Sequence, residues 1–133
     1  MTCELCNALG GDLVWQNTLC RVVLVADAAY PGFCRVILNR HAKEMGDLPE
    51  AERQAMMHVV FAVERALTSL LCPDKINLAS LGNVVPHVHW HIIPRFTGDA
   101  HFPQAIWAAP ARAGSPRTAP DLKKLRDKLD EFV

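Results

Sequence analysis

Three short apolar runs, each bounded by polar or turn residues, lie in the first part of the chain and predict strands. They cover residues 12–16, 21–25 and 35–38. The last two are rich in valine and isoleucine, whose branched side chains favour extended backbone. Tyr30-Pro31-Gly32 stands between these two runs and is typical of a turn. The pattern therefore predicts an antiparallel hairpin with a loop of medium length.

From residue 49 to residue 71 the apolar positions adopt helical spacing. They fall at Met56, Val60, Val63, Leu67 and Leu70. Asp47 followed by Glu50 resembles a capping box, Pro49 suits a first turn, and Cys72-Pro73 ends the pattern. A stripe of alanines on the same helix fits either close approach of a second helix or high helix propensity alone.

The second half of the chain predicts two more strands and a short helix. Residues 75–79 and 87–94 have strand character, and Leu81-Gly82-Asn83 between them is typical of a turn. Residues 108–120 are rich in proline, glycine and alanine, as in a linker or an extended surface segment. Residues 121–132 carry apolar side chains at helical spacing.

These elements together predict an α+β fold, with an antiparallel sheet of about five strands, one long helix and a C-terminal helix. We expect residues 1–107 to form the domain. Residues 108–133 would be a linker and an amphipathic helix that packs on it.

Composition narrows the function classes. The chain has 133 residues, 50% of them hydrophobic, and 14 basic side chains balance 14 acidic ones. One globular domain is expected, with no overall field that would attract nucleic acid or an anionic membrane. The first residues resemble no signal peptide and no apolar run approaches the ~18 residues of a membrane span, so we expect a cytoplasmic protein.

Three histidines alternate with apolar residues in the last predicted strand. His87, His89 and His91 share one face, because side chains two apart along a strand point the same way. Neighbours on that face are ~6.6 Å apart, so the three span ~13 Å and would not easily meet at one metal ion. At least one imidazole is therefore expected to be free for proton transfer or nucleophilic attack near neutral pH.

The segment resembles the signature of the histidine triad (HIT) family of hydrolases and transferases. Its sequence is His87-Val88-His89-Trp90-His91-Ile92-Ile93-Pro94-Arg95. The resemblance extends back through Gly82-Asn83 and Asn39-Arg40-His41 to Asp27. It implies a HIT-like fold, a homodimer, and an enzyme that cleaves at the α-phosphate of nucleoside phosphate conjugates, such as phosphoramidates or dinucleoside polyphosphates.

The resemblance also implies roles for single residues. His89 would be the nucleophile that forms a nucleotidyl-histidine intermediate, and His91 would contact the phosphate and assist the leaving group. Asn83 would contact phosphate oxygens. Asp27 would receive the ribose hydroxyls, unless it is only a turn residue, and Asn77 is a weaker candidate for contact with the nucleotide or its loop.

Two of the five cysteines form a Cys3-x-x-Cys6 pair. Alone, this pair fits a zinc half-site, a redox pair or coincidence, whereas Cys20, Cys34 and Cys72 have apolar neighbours and are expected to be buried. In some HIT branches such a pair joins two histidines around a structural zinc. The resemblance places those histidines at His41 and His87, which makes His87 structural, and it implies no organic cofactor.

Three functions stay open on the sequence. The first is the nucleotidyl hydrolase or transferase, the second a nucleotide-binding protein with little turnover, and the third a zinc enzyme that activates water. The segment after the triad, with His101 and Trp107, fits either a lid over the site or a packed surface loop.

Overall fold

Five strands form one antiparallel sheet in the computed structural model, which describes residues 2–133. The strands are β1 (Asp12–Gln16), β2 (Cys20–Leu24), β3 (Cys34–Leu38), β4 (Lys75–Ala79) and β5 (His89–Arg95). Their order across the sheet is β1-β2-β3-β5-β4, and each neighbouring pair is antiparallel. The predicted α+β fold and the hairpin between the second and third strands are confirmed.

The helices are α1 (Glu4–Asn7), α2 (Glu50–Leu71) and α3 (Leu122–Asp130), with a 3-10 turn at Met45–Asp47. Helices α2 and α3 pack against each other on one face of the sheet. Val22, Val36 and Ile92 point into this core and are fully buried. The sheet thus has a core face under α2, and its opposite face carries the second set of alternating side chains.

Helix α2 has nearly the predicted bounds, but its capping box and the burial of Cys72 differ from the prediction. The capping box predicted for Asp47 with Glu50 is wrong, because the Asp47 carboxylate accepts the N–H of Glu44 at 3.1 Å inside the 3-10 turn. Pro49 precedes the helix and no side chain caps it. Cys72 ends the helix in a left-handed conformation with φ of 47°, and it is exposed rather than buried.

The triad segment also begins its strand later than expected. Strand β5 starts at His89, and His87 lies in the bend before it, where its N–H donates to the Val85 carbonyl at 2.8 Å. His87 therefore lies outside the sheet. Its ring is oriented by a hydrogen bond to the Leu38 carbonyl rather than by the side-chain alternation of a strand.

The tail crosses the surface and returns to the core. Residues 108–119 are exposed and irregular, as predicted for a linker or surface segment. Asp121 caps α3, since its carboxylate accepts the N–H groups of Lys123 and Lys124, and Leu125 and Leu129 are buried against α2 and β1. None of the helices in residues 2–133 has the length and apolar character that a membrane crossing requires.

Candidate active site

A cavity of about 500 Å³ lies beside β5 on the sheet face away from α2. Its walls come from α1, β3, β5, the loop between β4 and β5, and the tail. The lining residues are Glu4, Leu5, Arg35, Leu81, Gly82, Asn83, Val84, Val85, His89, His91 and Trp107. The volume is in the range of small-molecule sites, and the mixture of apolar walls with a few polar groups is typical of them.

His89 is held in one tautomer. Its Nδ1 lies 2.6 Å from the backbone carbonyl of His87. A carbonyl only accepts hydrogen bonds, so Nδ1 carries a proton, and in the neutral ring the lone pair is on Nε2. The residue is 8% exposed. The hydrogen bond therefore selects the tautomer in which Nε2 can act as a nucleophile.

His91 lies beside it in an aromatic cage. Its ring is nearly perpendicular to that of His89, with centroids 4.9 Å apart, and Trp107 and Phe33 flank it at 5.2 and 5.5 Å. Burial lowers the pKa of His91 to about 4, and positive charge on His89 and Arg35 acts in the same direction. The imidazole is neutral near pH 7 as a result. Its Nδ1 is buried and has no partner among the described residues.

Of the other predicted substrate contacts, one lies in this cavity and two lie outside it. Asn83 lines the same cavity as His89 and His91. Asp27 lies in a separate cavity of about 470 Å³ that includes Arg117, and its carboxylate accepts the N–H of Ala29 at 3.0 Å, as a turn residue does. Asn77 lies on β4, where its side-chain oxygen accepts a hydrogen bond from Arg95 at 2.7 Å.

All four predicted metal ligands meet in one cluster. The ligand atoms of Cys3, Cys6, His41 and His87 lie within 4.8 Å of one another. His87 Nδ1 is 3.3 Å from Cys3 Sγ, 3.5 Å from Cys6 Sγ and 3.3 Å from His41 Nδ1. Tetrahedral zinc with two sulfurs and two nitrogens separates its ligand atoms by about 3.3–3.8 Å. The donor set and spacing fit that ion.

The tautomer of His87 fits a metal as well. Its Nε2 is 2.6 Å from the Leu38 carbonyl, so Nε2 carries the proton and Nδ1 presents a lone pair to the cluster. The carbonyl of the same residue holds His89. One residue therefore joins the cysteine–histidine cluster to the ring that lines the cavity.

Several residues at the site were not predicted from the sequence. Arg35 lines the cavity, and so does Trp107, which the sequence analysis named only within a segment that fits a lid or a packed loop. Arg21 supports its N-terminal wall, donating to the carbonyls of Leu5 and Ala8 at 2.7 and 3.0 Å. An arginine inside an otherwise apolar strand was the available signal for Arg21 and Arg35. His101 packs against Tyr30, which supports the packed-loop interpretation for that part of the segment.

Comparison with known proteins agrees with this architecture. The model of the HIT domain family matches residues 9–98. An AP-4-A phosphorylase of Mycobacterium tuberculosis is 28% identical over 98 residues, which are 69% of this chain and 50% of that protein. An adenylylsulfatase of Arabidopsis thaliana is 25% identical over 116 residues, 80% of this chain and 56% of that one. The chain spans about half the length of these relatives.

Solved structures cover the chain more fully. A histidine triad protein from Bradyrhizobium japonicum is 34% identical with a TM-score of 0.73, over 89% of this chain and 91% of that one. One from Marinobacter aquaeolei is 27% identical with a TM-score of 0.78, over the whole of both chains. A Zn-bound family protein from Mycobacterium smegmatis shares the fold at 21% identity, with a TM-score of 0.68 over 98% and 95% of the two chains.

The family model covers more than half of the chain and includes the histidine segment, the Asn83 loop and the first three strands. A solved relative with more than 30% identity matches over most of both chains. The chain therefore belongs to the histidine triad (HIT) family.

Proposed function

We propose that the protein is a nucleotidyl hydrolase or transferase that cleaves at the α-phosphate of nucleoside phosphate conjugates. The observation that carries the proposal is the tautomer of His89, which leaves Nε2 as the nucleophilic nitrogen of a residue that lines a cavity of about 500 Å³. The relatives' names, AP-4-A phosphorylase and adenylylsulfatase, support adenylyl conjugates as substrates, and we propose phosphoramidates or dinucleoside polyphosphates as the class.

In the proposed reaction, Nε2 of His89 attacks the α-phosphorus, a P–N bond forms, and the bond to the leaving group breaks. The ring is then a cation with Nδ1–H still held by the His87 carbonyl. Water or another acceptor attacks the same phosphorus, loses its proton, and releases the nucleotide and neutral His89. Two phosphoryl transfers replace one harder reaction.

His91 and Asn83 would assist this reaction as neutral groups. His91 is uncharged near pH 7, so it can donate one hydrogen bond to a phosphate oxygen or to the leaving group. The Asn83 amide would contact a second phosphate oxygen. Asp27 and Asn77 lie outside the first cavity, and their hydrogen bonds fit a turn and a strand. We propose them as nucleotide contacts on the family resemblance alone.

The test is to trap the intermediate. Incubation with AMP and GMP conjugates, rapid acid-free quenching and mass spectrometry should show a nucleotidyl adduct on His89. The His89→Ala variant should lose the adduct and essentially all turnover while keeping its fold. His58→Ala is the matched control, because His58 is exposed on α2, away from the cavity.

Two results would change the conclusion. Tight nucleotide binding without any adduct or product would favour the alternative, a nucleotide-binding protein with little turnover. Wild-type rates in His89→Ala would contradict the proposal itself.

We further propose that Cys3, Cys6, His41 and His87 hold a structural zinc ion. When bound, zinc would fix the N-terminal segment to His87 as a closed site. Two thiols and two imidazoles in contact, with the His87 lone pair directed at them, support this. The Zn-bound family protein from Mycobacterium smegmatis agrees with it.

Cobalt(II) titration of metal-free protein should give the intense thiolate charge-transfer band and the visible bands of a tetrahedral site. Cys6→Ser should weaken or abolish these bands. Cys72→Ser is the control, since Cys72 is also exposed but lies outside the cluster. Equal spectra in the two variants would contradict the zinc proposal.

The remaining proposals concern the location, the oligomeric state and the partners of the protein. We propose a cytoplasmic homodimer that binds neither nucleic acid nor membranes, on the basis of the neutral composition and the family resemblance. In the alanine stripe on α2, Ala62 and Ala66 are buried in the core of the chain itself, so only Ala51 and Ala55, which are exposed, could contact a second copy. Light scattering after size-exclusion chromatography would give the oligomeric state.

A further inference from the structure

Arg35 stands on the floor of the cavity with most of its hydrogen-bonding capacity unused. It lies on β3 directly opposite His91 in the strand register. Its one side-chain hydrogen bond among the described residues joins Nη1 to the Gly10 carbonyl at 3.1 Å. Its Nε is buried and has no partner there. A guanidinium has five N–H donors, so several remain for a ligand.

Arg35 is also the one lining residue with a permanent positive charge. Burial lowers its pKa and Glu4 partly offsets that, yet an arginine keeps its charge at any ordinary pH. His91 across the strands is neutral near pH 7. Glu4 forms no ion pair with Arg35 among the described residues. A half-buried guanidinium that contacts Phe33 but has no carboxylate partner among the described residues favours an anion in this cavity.

The direction of the side chain separates it from the attacked phosphorus. Its Nη1 bonds to Gly10, just before β1, and β1 lies on the far side of β3 from β5. A phosphorus in line for attack lies roughly 3–3.5 Å from the His89 nitrogen, beside β5. Nη1 is therefore directed toward the N-terminal side of the cavity, which Leu5 also lines, while the central carbon of the guanidinium lies 5.7 Å from the centroid of the Phe33 ring.

We propose that Arg35 binds a second anionic group of the substrate, a phosphate or sulfate separate from the phosphoryl group that His89 attacks. This inference rests on the proposed function, because it names which conjugates the same site prefers. The second group could belong to the leaving group or to the ribose, since both extend from the attacked phosphorus. In either position, Arg35 makes the protein select nucleotides with two anionic groups over those with one.

Binding to the His89→Gln protein tests the proposal without turnover. Calorimetry would compare AMP with ADP, which extends the phosphate chain, and with adenosine 3′,5′-bisphosphate, which adds a phosphate to the ribose. We expect one of the two to bind about tenfold or more tightly than AMP, the usual effect of a charge-assisted hydrogen bond. Which of them gains identifies the position of the second group.

Substitution of Arg35 should remove this preference alone. In the same background, Arg35→Gln should bring the preferred ligand to within about threefold of AMP and leave AMP itself within about threefold. Arg35→Lys, which keeps the charge without the planar fork, should retain part of the preference. Arg65→Gln is the matched control, because Arg65 is exposed on α2 and also loses one positive charge.

The outcomes separate this inference from the reaction itself. Equal affinity of all three nucleotides for the parent protein would overturn it, and this comparison needs no folded Arg35 variant. An equal loss for AMP and the preferred ligand in Arg35→Gln would also overturn it, since Arg35 would then act on the attacked phosphoryl group or on the fold. Absence of a nucleotidyl adduct would count against the reaction and leave the binding preference standing.

Discussion

Burial gives His91 a different acid–base character from that of an exposed histidine. Its pKa falls to about 4 in the folded chain, because the ring is enclosed by His89, Phe33 and Trp107. In the unfolded chain an ordinary histidine has a pKa of about 6.5. The folded protein therefore binds fewer protons at this position than the unfolded chain between these two values.

The consequence is a pH-dependent stability. As pH falls from about 6.5 to about 4, the unfolded chain gains a proton that folded His91 does not accept, so the free energy of unfolding decreases; above about pH 6.5 the group has no effect. Urea unfolding at about pH 7 and about pH 5 should show a smaller decrease in His91→Gln than in the wild type. His87, whose pKa burial also lowers, is present in both proteins. An equal or larger decrease in the variant would contradict the prediction.

The sequence alone predicted where the triad histidines lie better than it predicted their tautomers. Alternation along a strand predicted that His89 and His91 share one face, and the structure has both on the cavity, with Trp90 and Ile92 packed on the core side. The tautomers depend on the carbonyls of Leu38 and His87, which only the folded backbone brings into position. No local pattern reveals them.

Buried polar pairs were beyond prediction for the same reason. Arg95 and Asp99 form a buried ion pair at 2.8 Å after β5, with side chains 2% and 6% exposed. Although burial raises the pKa of Asp99, the hydrogen bonds from Arg95 and from three backbone N–H groups lower it well below its usual range. The pair fixes the turn that leads into the tail and toward Trp107.

Among the elements, regular segments were predicted closely and their ends were not. Strand β4 matches its predicted bounds, Lys75–Ala79, because β-branched and apolar residues there are flanked by clear breaks. The end of α2 at Cys72 also matches, since Pro73 cannot continue the helix. Its beginning at Glu50 lies one residue from the predicted one, but the predicted capping box was wrong because a 3-10 turn uses Asp47 first. Such a turn has no periodic signal.

The bend at His87, which the strand pattern did not predict, changes the direction in which its side chain points. A continuous strand would place His87 on the cavity face in register with His89. Instead its Nε2 bonds to Leu38 and its Nδ1 faces Cys3 and Cys6. The element boundary therefore divides a structural histidine from the one that we propose as nucleophile.

In the whole molecule, one face of the sheet forms the main core and the opposite face lines the cavity. The face under α2 and α3 holds the larger core, and the opposite face holds two small apolar clusters around Leu5 and Tyr30, with the histidines between α1 and the tail. The family resemblance predicted a HIT-like fold, whereas the pattern of elements alone predicted only the α+β class with an antiparallel sheet. The division of the chain at residue 107 stays a prediction.

That division leads to the last prediction, which concerns cooperativity between α3 and the domain. Leu129 is 1% exposed and packs with α2, and Arg126 Nε donates to the Val14 carbonyl of β1 at 2.7 Å. Leu129→Ala should therefore cost about 2–5 kcal/mol of stability for the entire chain, as truncation of a buried leucine does. Leu122→Ala, in the same helix at 38% exposure, should cost about 0.5 kcal/mol or less.

Urea unfolding followed by far-ultraviolet circular dichroism and by tryptophan fluorescence would measure both effects. All three tryptophans, Trp15, Trp90 and Trp107, lie outside α3, and Trp15 and Trp90 pack against the core, so the fluorescence follows the rest of the chain. If α3 is part of the cooperative unit, both signals should shift together in Leu129→Ala. A loss of helical signal at low urea with an unchanged fluorescence transition would show instead that residues 108–133 dock independently, because α3 would then separate without disturbing β1.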